Sequence, residues 1–334
     1  MGTRLLKGRR PRAGASPGLS SYVLIVLTAL SIFATAAVAG DYKGRRILHI
    51  DSYHKGNEWN DRIAAAVQDT LAGTGVVLRI IHMDTKRNKS KEFKEQAALR
   101  AKKVIQKFDP DVVTTSDDNA ARYLIMTHYK DAALPFVFSG LNWDASTYGM
   151  PYSNVTGMVE VSPIPQIIAL MRKHAKGKRL GLLTEESPTK RKEMNYHRKL
   201  FGIEYDKTYF VSTFDDWKKS FVKAQDEVDM LLLLGVAAVK GWDDKEAGRF
   251  AEANTRIPSG TDFGWLMHIS LLGVGKLPEE QGRWAAKAAL KIIDGVRPSD
   301  IPLAYNKEGQ LFMNKTIAGK LGISDFPPLA KIVE

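Results

Sequence analysis

The sequence predicts an α/β protein in which parallel sheets are built from repeated strand–helix units. From Arg45 onward, short runs rich in branched residues alternate with amphipathic helical patterns. A stretch rich in Gly, Asn, Tyr and Pro at 140–152 interrupts this alternation, which then restarts. A chain of 334 residues with 44% hydrophobic content is long enough for two cores. We therefore expect two Rossmann-like lobes.

The first array contains predicted strands and helices in strict alternation. Ile63, Val67 and Leu71, for example, share one helical face, and Gly73 is a helix stop. The strands are expected near 46–50, 76–83, 112–115 and 135–139, with helices at 61–71, 90–108 and 119–129.

The second array repeats this period and is followed by a short tail. Its strands are expected near 179–183, 207–211, 230–234 and 256–260, with helices at 190–200, 216–228 and 245–254. The tail is expected to contain a helix at 279–294, strands near 301–305 and 311–314, and a last helix at 315–321.

Residues 1–39 have the composition of a secretory signal peptide. Five basic residues between Arg4 and Arg12 precede the apolar stretch Val23 to Phe33, and Ala37-Val38-Ala39 is a small-x-small cleavage signal. We expect cleavage near Ala39-Gly40 and export to the periplasm. The alternative is a retained membrane anchor, because Tyr22 to Ala39 approaches the roughly 18–20 residues that span a bilayer.

Charge and cysteine content exclude several classes. The chain has 49 Lys and Arg and 37 Asp and Glu; five of the basic residues lie in the signal, which leaves 44 against 37, or +7. The basic runs Lys86–Lys94, Lys173–Arg179 and Lys190–Arg198 lack interleaved stacking aromatics, so we expect solvated surfaces and no nucleic-acid partner. Without cysteine, the chain has no disulfide, no lipoprotein anchor and no thiol nucleophile.

Motifs of catalysis are missing from the sequence. It contains no G-x-S-x-G, P-loop, G-x-G-x-x-G or H-E-x-x-H pattern, so we expect no catalytic residue and no cofactor. One group, His49, Asp51 and His54, has metal-ligating residue types, and an extended strand places His49 and Asp51 on one face. Its spacing is not diagnostic of zinc, and a packed His49 with a loop His54 is the alternative.

Four segments, together with the tail, carry a resemblance to a known family. They are Ser52–Asp61, Asp84–Arg87, Ser116–Asn119 and Pro135–Asn142, and in the tail Leu277–Leu290, Ile293–Pro298, Ile301-Pro302 and Asn314–Ile323. Their order and spacing resemble the ABC-transporter substrate-binding proteins with a type I periplasmic-binding fold. The resemblance is to the branch that also occurs as the sensor half of histidine kinases, and it covers essentially the whole mature chain.

This resemblance implies a type I architecture with three crossovers between the lobes. It places 40–155 and 278–300 in the N-terminal lobe, and 156–277 and 301–334 in the C-terminal lobe. It also implies a monomer that captures a small organic ligand, such as an aromatic amino acid or related zwitterion, in the interlobe cleft. The partners would be a separately encoded permease and ATPase.

Two other functions stay open at this stage. One is a sensory protein that presents its closed form to a membrane histidine kinase. The other is a metal-binding protein that uses His49, Asp51 and His54.

Ligands of open α/β sheets bind at the carboxyl ends of the strands, and the candidate binding residues are taken from those ends. In the first lobe they are Ser52, Tyr53, Trp59, Asp117, Asp118, Ser139 and Asn142. In the second lobe they are Thr184, Glu185, Gly235, Thr261, Asp262 and Phe263, with Glu160 near the first crossover.

Some of these candidates have a structural alternative. Either Asp117 or Asp118 is also suited to an N-cap, and Trp59 to packing. Trp143 and Tyr148 either line the cleft or cover the lobe edge. At Asn142-Trp143-Asp144 the chain departs from the polar turn of the family, so the resemblance does not imply the pocket shape there.

Overall fold

The computed structural model describes residues 42–334, and the predicted signal segment lies outside them. Within this range no helix combines the length and the apolar character needed to cross a bilayer.

Strands and helices alternate through the first lobe. The elements are β1 (Arg46–Asp51), α1 (Glu58–Leu71), β2 (Val77–His82), α2 (Lys91–Phe108), β3 (Val112–Ser116), α3 (Asp117–Ala120), β4 (Phe136–Asn142) and β5 (Val155–Glu160). A π-helix, Ala121–Tyr129, continues α3, and a 3-10 helix, Ala145–Tyr148, follows β4.

The second lobe begins after β5 and continues the alternation. It contains α4 (Ile164–Arg172), β6 (Leu180–Glu185), α5 (Pro188–Phe201), β7 (Lys207–Val211), α6 (Phe214–Glu227), β8 (Met230–Leu233), α7 (Asp244–Asn254), β9 (Ser259–Thr261), a 3-10 helix (Gly264–Ile269) and β10 (Leu272–Lys276). The tail contains α8 (Pro278–Ile293), a 3-10 turn (Pro298–Asp300), β11 (Ala304–Tyr305), β12 (Gly309–Asn314), α9 (Lys315–Lys320) and β13 (Lys331–Val333).

Two sheets organise the described residues. The first has the order β11-β5-β4-β3-β1-β2 with parallel pairing throughout, and the second has the order β13-β12-β10-β9-β8-β6-β7. In the second sheet β12 is antiparallel to β10. The chain thus passes to the second sheet after β5, returns with α8 and β11, and passes over again with β12, which confirms the predicted two-lobed α/β class.

Both faces of each sheet are buried, as parallel sheets require. In the first lobe Leu48 and Phe138 pack in the core toward α2, while Ile47 and Val137 pack with Ala285 of α8. In the second lobe one core surrounds Ile167 of α4, and the other surrounds Trp217 of α6.

The observed crossovers lie a few residues beyond the predicted boundaries. β5 and β11 belong to the first sheet, whereas the sequence divided the lobes at 155/156 and 300/301. The apolar sequence pattern that would predict β5 is weak because Gly157 lies at the centre of the strand. A Cβ there would lie 2.3 Å from the ring of Phe138, so the neighbouring strand requires a glycine that interrupts the apolar pattern.

Candidate functional site

A cavity of about 710 Å³ lies between the two lobes, at the carboxyl ends of their strands. Both sheets contribute to its wall, which includes charged and aromatic side chains together. The lining side chains used below are Trp59, Glu160, Asp262, Phe263, Trp265 and Lys276.

One ion pair in this cavity joins the two lobes. Lys276, at the end of β10, places Nζ 2.5 Å from Oε1 of Glu160, at the end of β5. The same Nζ lies 5.8 Å from the ring centroid of Trp59. Burial alone would lower the pKa of Lys276, but Glu160, Asp262 and Glu193 outweigh burial and raise it above its ordinary value. Lys276 is therefore held as a cation.

Asp262 follows β9 and is a buried carboxylate at the cavity wall. The hydroxyl of Ser162 donates to its Oδ2 at 2.5 Å. Its Oδ1 is also buried and has no hydrogen-bond partner within residues 42–334. Buried polar atoms are nearly always satisfied, so this oxygen needs a functional explanation.

A second lysine of the second lobe lies against Phe263, the residue that follows this carboxylate. Lys190 Nζ lies 2.6 Å from Glu193 Oε2 and 5.3 Å from the ring centroid of Phe263. Gly235 makes room for this side chain, because a Cβ there would lie 2.6 Å from Lys190 Cε. The role of Gly235 is thus space for a lysine.

A smaller cavity of about 310 Å³ continues between the lobes and includes Asp118, Asn142 and Tyr148 in its lining. Asp118 accepts hydrogen bonds from the Tyr148 hydroxyl at 2.6 Å and from Asn142 Nδ2 at 2.7 Å. Tyr148 thus lines the cleft, one of the two alternatives left open for it. Asp117 and Asp118 are the first residues of α3, after its N-cap Ser116, so neither is the N-cap that the sequence allowed.

Tyr53 and Asp117 lie close enough to these carboxylates to respond to their charge. Burial, then Glu160, raises the pKa of Asp117 well above its ordinary value. Burial also raises the pKa of the Tyr53 hydroxyl, with contributions from Asp117, Asp118 and Glu160. Asp117 accepts a hydrogen bond from Asn60 Nδ2 at 2.8 Å. The neutral forms of Tyr53 and Asp117 are therefore favoured beside Asp118 and Glu160.

The remaining candidates bond to backbone groups. Ser52 Oγ donates to Ser116 O at 2.5 Å, Ser139 Oγ donates to Thr115 O at 3.1 Å, and Thr184 Oγ1 donates to Gly235 O at 3.1 Å. Thr261 Oγ1 accepts from Phe263 N at 3.3 Å, and Glu185 accepts from Ala238 N at 2.7 Å. These contacts hold the strand ends and loops that carry the cavity residues.

The histidine group predicted from the first strand is divided in the structure. His49 Nδ1 lies 2.8 Å from Thr114 Oγ1, and its Nε2 lies 3.0 Å from Asp51 Oδ1. His54 instead has Nδ1 3.8 Å from Asp84 Oδ1. No group of three or more potential ligands that would hold a metal occurs in the described part of the chain. His49 and Asp51 do share a face, but as a buried pair.

Sequence reasoning missed Lys276, Lys190 and Glu193. The candidates were chosen at the ends of predicted strands. Because β10 was not predicted, Lys276 was not among them. The run Lys190–Arg198 was expected to be a solvated surface, and this is wrong for Lys190, Tyr196 and His197, which are buried. The Pro at the start of α5, after its N-cap Ser187, was the available signal that the helix begins before this run, at a strand-to-helix turn.

Contacts between the crossovers position the two lobes. Asn306 accepts from Val161 N at 2.7 Å and donates to Val161 O at 3.0 Å, which ties the first crossover to the third. Glu280, at the start of α8, accepts from the backbone of Lys307 and Glu308. The three connections therefore meet at one hinge.

A second set of contacts closes the cleft at one edge. The rings of Trp143 and Tyr196 are stacked, with centroids 5.7 Å apart and an interplanar angle of 2°. Beside them Lys199 Nζ lies 2.8 Å from Asp144 Oδ2. Trp143 adopts φ = 64°, an unusual value for a bulky residue. Such strain is concentrated at functional sites.

Comparisons with known proteins show the fold. No protein-family model matches this chain, and no curated protein does. Among solved structures, the ligand-free, open structure of a substrate-binding protein with adhesive properties from Clostridium difficile is 15% identical, with a TM-score of 0.65 over 87% of this chain and 99% of that one.

Two further structures match with a TM-score of 0.50. An ABC domain in complex with L-Trp from Streptococcus pneumoniae is 18% identical over 84% of this chain and 95% of that one. A conserved domain protein from Vibrio cholerae is 17% identical over 87% and 100%. The described chain thus has the type I periplasmic-binding fold.

Proposed function

We propose that this protein is an exported solute-binding protein that captures a small organic molecule between its lobes for an ABC importer. The observation that carries the proposal is the 710 Å³ cavity, because its wall combines groups from both sheets. Pockets with aromatic walls and a few convergent polar groups are typical of small-molecule sites. The similarity to substrate-binding proteins supports the same function.

Capture would proceed by closure of the lobes about the crossovers. The ligand stabilises the closed form when it contacts both lobes at once, since only differential affinity shifts a conformational equilibrium. Glu160 and Trp59 belong to the first lobe, and Asp262 and Phe263 to the second, so a ligand in the cavity contacts both sides. Phe263 and Trp59 supply apolar or stacking surface, as expected for a ligand with a planar or apolar part.

A thermal-shift screen tests the proposal. Amino acids, aromatic acids, purines and divalent metals are added to the purified protein, because a ligand that binds only the folded state raises the melting temperature. We expect a shift from an organic class that Phe263→Ala reduces and that a matched Phe326→Ala variant, outside the cavity, retains. A response to metals alone, or to none of these compounds, would contradict solute capture.

The importer assignment needs its own measurement. The liganded protein should stimulate ATP hydrolysis by its permease–ATPase complex in proteoliposomes. Stimulation of a membrane kinase instead would favour the sensory function.

A further inference from the structure

Several carboxyl groups of the cleft are not paired with a cation. The carboxyl groups are Asp117, Asp118, Glu160, Glu193 and Asp262, and the lysines that lie among them are Lys190, which is buried, and Lys276, which is mostly buried. Each lysine already lies within 2.6 Å of one glutamate. Asp117, Asp118 and Asp262 therefore have only neutral hydrogen-bond donors.

The other cations that line the two cavities have contacts with groups other than Asp262. Arg62 binds Glu279 through Nε at 2.6 Å and Nη2 at 3.0 Å. Lys331 Nζ lies 5.9 Å from the ring centroid of Phe312. In the smaller cavity Arg122 lies over the ring of Tyr148 at 5.4 Å, and Lys192 lies over that of Tyr196 at 5.6 Å. None of these four cations forms an ion pair with Asp262.

Glu193 lies in a part of the cleft that is poorly solvated. Burial raises the pKa of Glu193 above its ordinary value although Lys190 and Lys276 lower it, and Asp262 adds to the increase. A positive charge placed here would therefore be stabilised by a carboxylate that lacks a cationic partner.

Asp262 is the group that such a charge would reach. Its Oδ1 is buried, unpartnered within residues 42–334, and at the wall of the larger cavity. A buried carboxylate with a single neutral donor is costly unless a cation or further donors complete it. Phe263 and Trp265 also line this cavity, with ring centroids 5.4 Å apart, and Trp265 is 53% exposed. Aromatic faces bind cations as well as apolar groups.

We propose that the ligand of this cleft is an organic cation whose protonated amine or guanidinium donates to Asp262 Oδ1 while its apolar part packs on Phe263 and Trp265. This inference rests on the proposed solute-binding function and deepens it. It moves the expected ligand from a zwitterion of zero net charge to a molecule with net positive charge.

Calorimetry with pairs of ligands matched in shape tests the charge. The pairs are arginine with citrulline, lysine with norleucine, and tryptamine with tryptophan; glutamate serves as the anion. We expect at least one cation to bind about tenfold more tightly than its neutral or zwitterionic partner, since charge-assisted hydrogen bonds are about twice as strong as neutral ones.

The variant Asp262→Asn should remove this preference. It should weaken binding of the cation about tenfold and weaken binding of its zwitterionic partner by less, so that the two affinities become similar. The control Asp226→Asn removes the same charge at a surface pair with Arg256 in the second lobe, and should bind like the wild type.

The outcomes separate the two proposals. Tightest binding of a zwitterion or anion, with Asp262→Asn unaffected, overturns the charge assignment and leaves solute capture intact. Binding of no organic compound, in a protein that melts cooperatively, overturns solute capture and this inference together.

Discussion

At the level of single side chains, the burial of Asp117 is a feature that an amide tolerates better than a carboxylate. Its φ of 63° is in the left-handed region, which both Asp and Asn adopt, so the backbone does not oppose the exchange. Its carboxyl group is buried, and burial raises its pKa. A carboxyl with a raised folded pKa stabilises the fold below its unfolded pKa, and this contribution is lost as pH rises.

Asp117→Asn should therefore stabilise the protein at neutral pH. We expect the free energy of unfolding at pH 7 to rise, because burial opposes ionisation of Asp117 in the folded protein and the amide carries no charge to bury. The difference from wild type should shrink as pH falls toward 4, where both side chains are neutral. Urea denaturation at pH 7 and pH 4 measures both values.

Asp131→Asn is the matched control for this substitution. Asp131 also has a left-handed φ, of 53°, but its carboxylate accepts from Ser153 N at 3.0 Å and from Ser153 Oγ at 2.9 Å. The backbone hydrogen bond, above all, lowers the pKa of Asp131. Its charge therefore stabilises the fold above the unfolded pKa, and the amide should destabilise at pH 7. A shift of the same sign in both variants would contradict the burial argument.

At the level of helices, the contact between α1 and α8 depends on small residues. Ala66 of α1 faces Gly282 of α8, and a Cβ on Gly282 would lie 2.2 Å from Ile63 O and 2.9 Å from Ala66 Cβ. The backbone oxygen cannot move without displacing α1. Gly282 thus allows α8 to return from the second lobe and pack on the first.

Gly282→Ala should destabilise the protein by about 1–3 kcal/mol, the usual cost of overpacking. Urea denaturation measures the change. Gly319→Ala, in α9, is the control, because nothing lies within 4 Å of its Cβ position. Alanine favours helices over glycine by up to about 1 kcal/mol, so the control should be neutral or more stable. Equal losses in both variants would mean that the close approach is not the cause.

Glycines also explain which elements the sequence could predict. Strands such as β1 and β3 were predicted because both of their faces are buried and their residues are mostly branched or apolar. β10, with the sequence Leu-Gly-Val-Gly-Lys, was missed: a Cβ on Gly273 would lie 2.6 Å from Met267 Sδ. Spatial neighbours of this kind are invisible in a single sequence. Because β10 was not predicted, Lys276 was not recognised as a strand-end residue. Its ion-pair partner, Glu160, lies 116 residues away in the sequence.

For the molecule as a whole, the balance between open and closed forms decides how tightly a ligand binds. The stacked pair Trp143–Tyr196 and the ion pair Asp144–Lys199 join the first lobe to α5 of the second. An aromatic pair contributes about 0.5–1.5 kcal/mol, and an exposed ion pair about 0–1 kcal/mol. Together they bias the molecule toward closure by roughly a factor of ten.

A double variant, Tyr196→Ala with Lys199→Ala, should reduce this preference for the closed form. We expect a larger radius of gyration in solution scattering, because the open form becomes more populated. The apparent Kd for the cleft ligand should rise by up to about tenfold, since affinity falls with the fraction of binding-competent molecules. Arg198→Ala is the control: it lies on the same helix, and its partner Glu204 belongs to the same lobe. An unchanged radius of gyration together with unchanged affinity would show that these contacts form as a result of closure and do not stabilise the closed form.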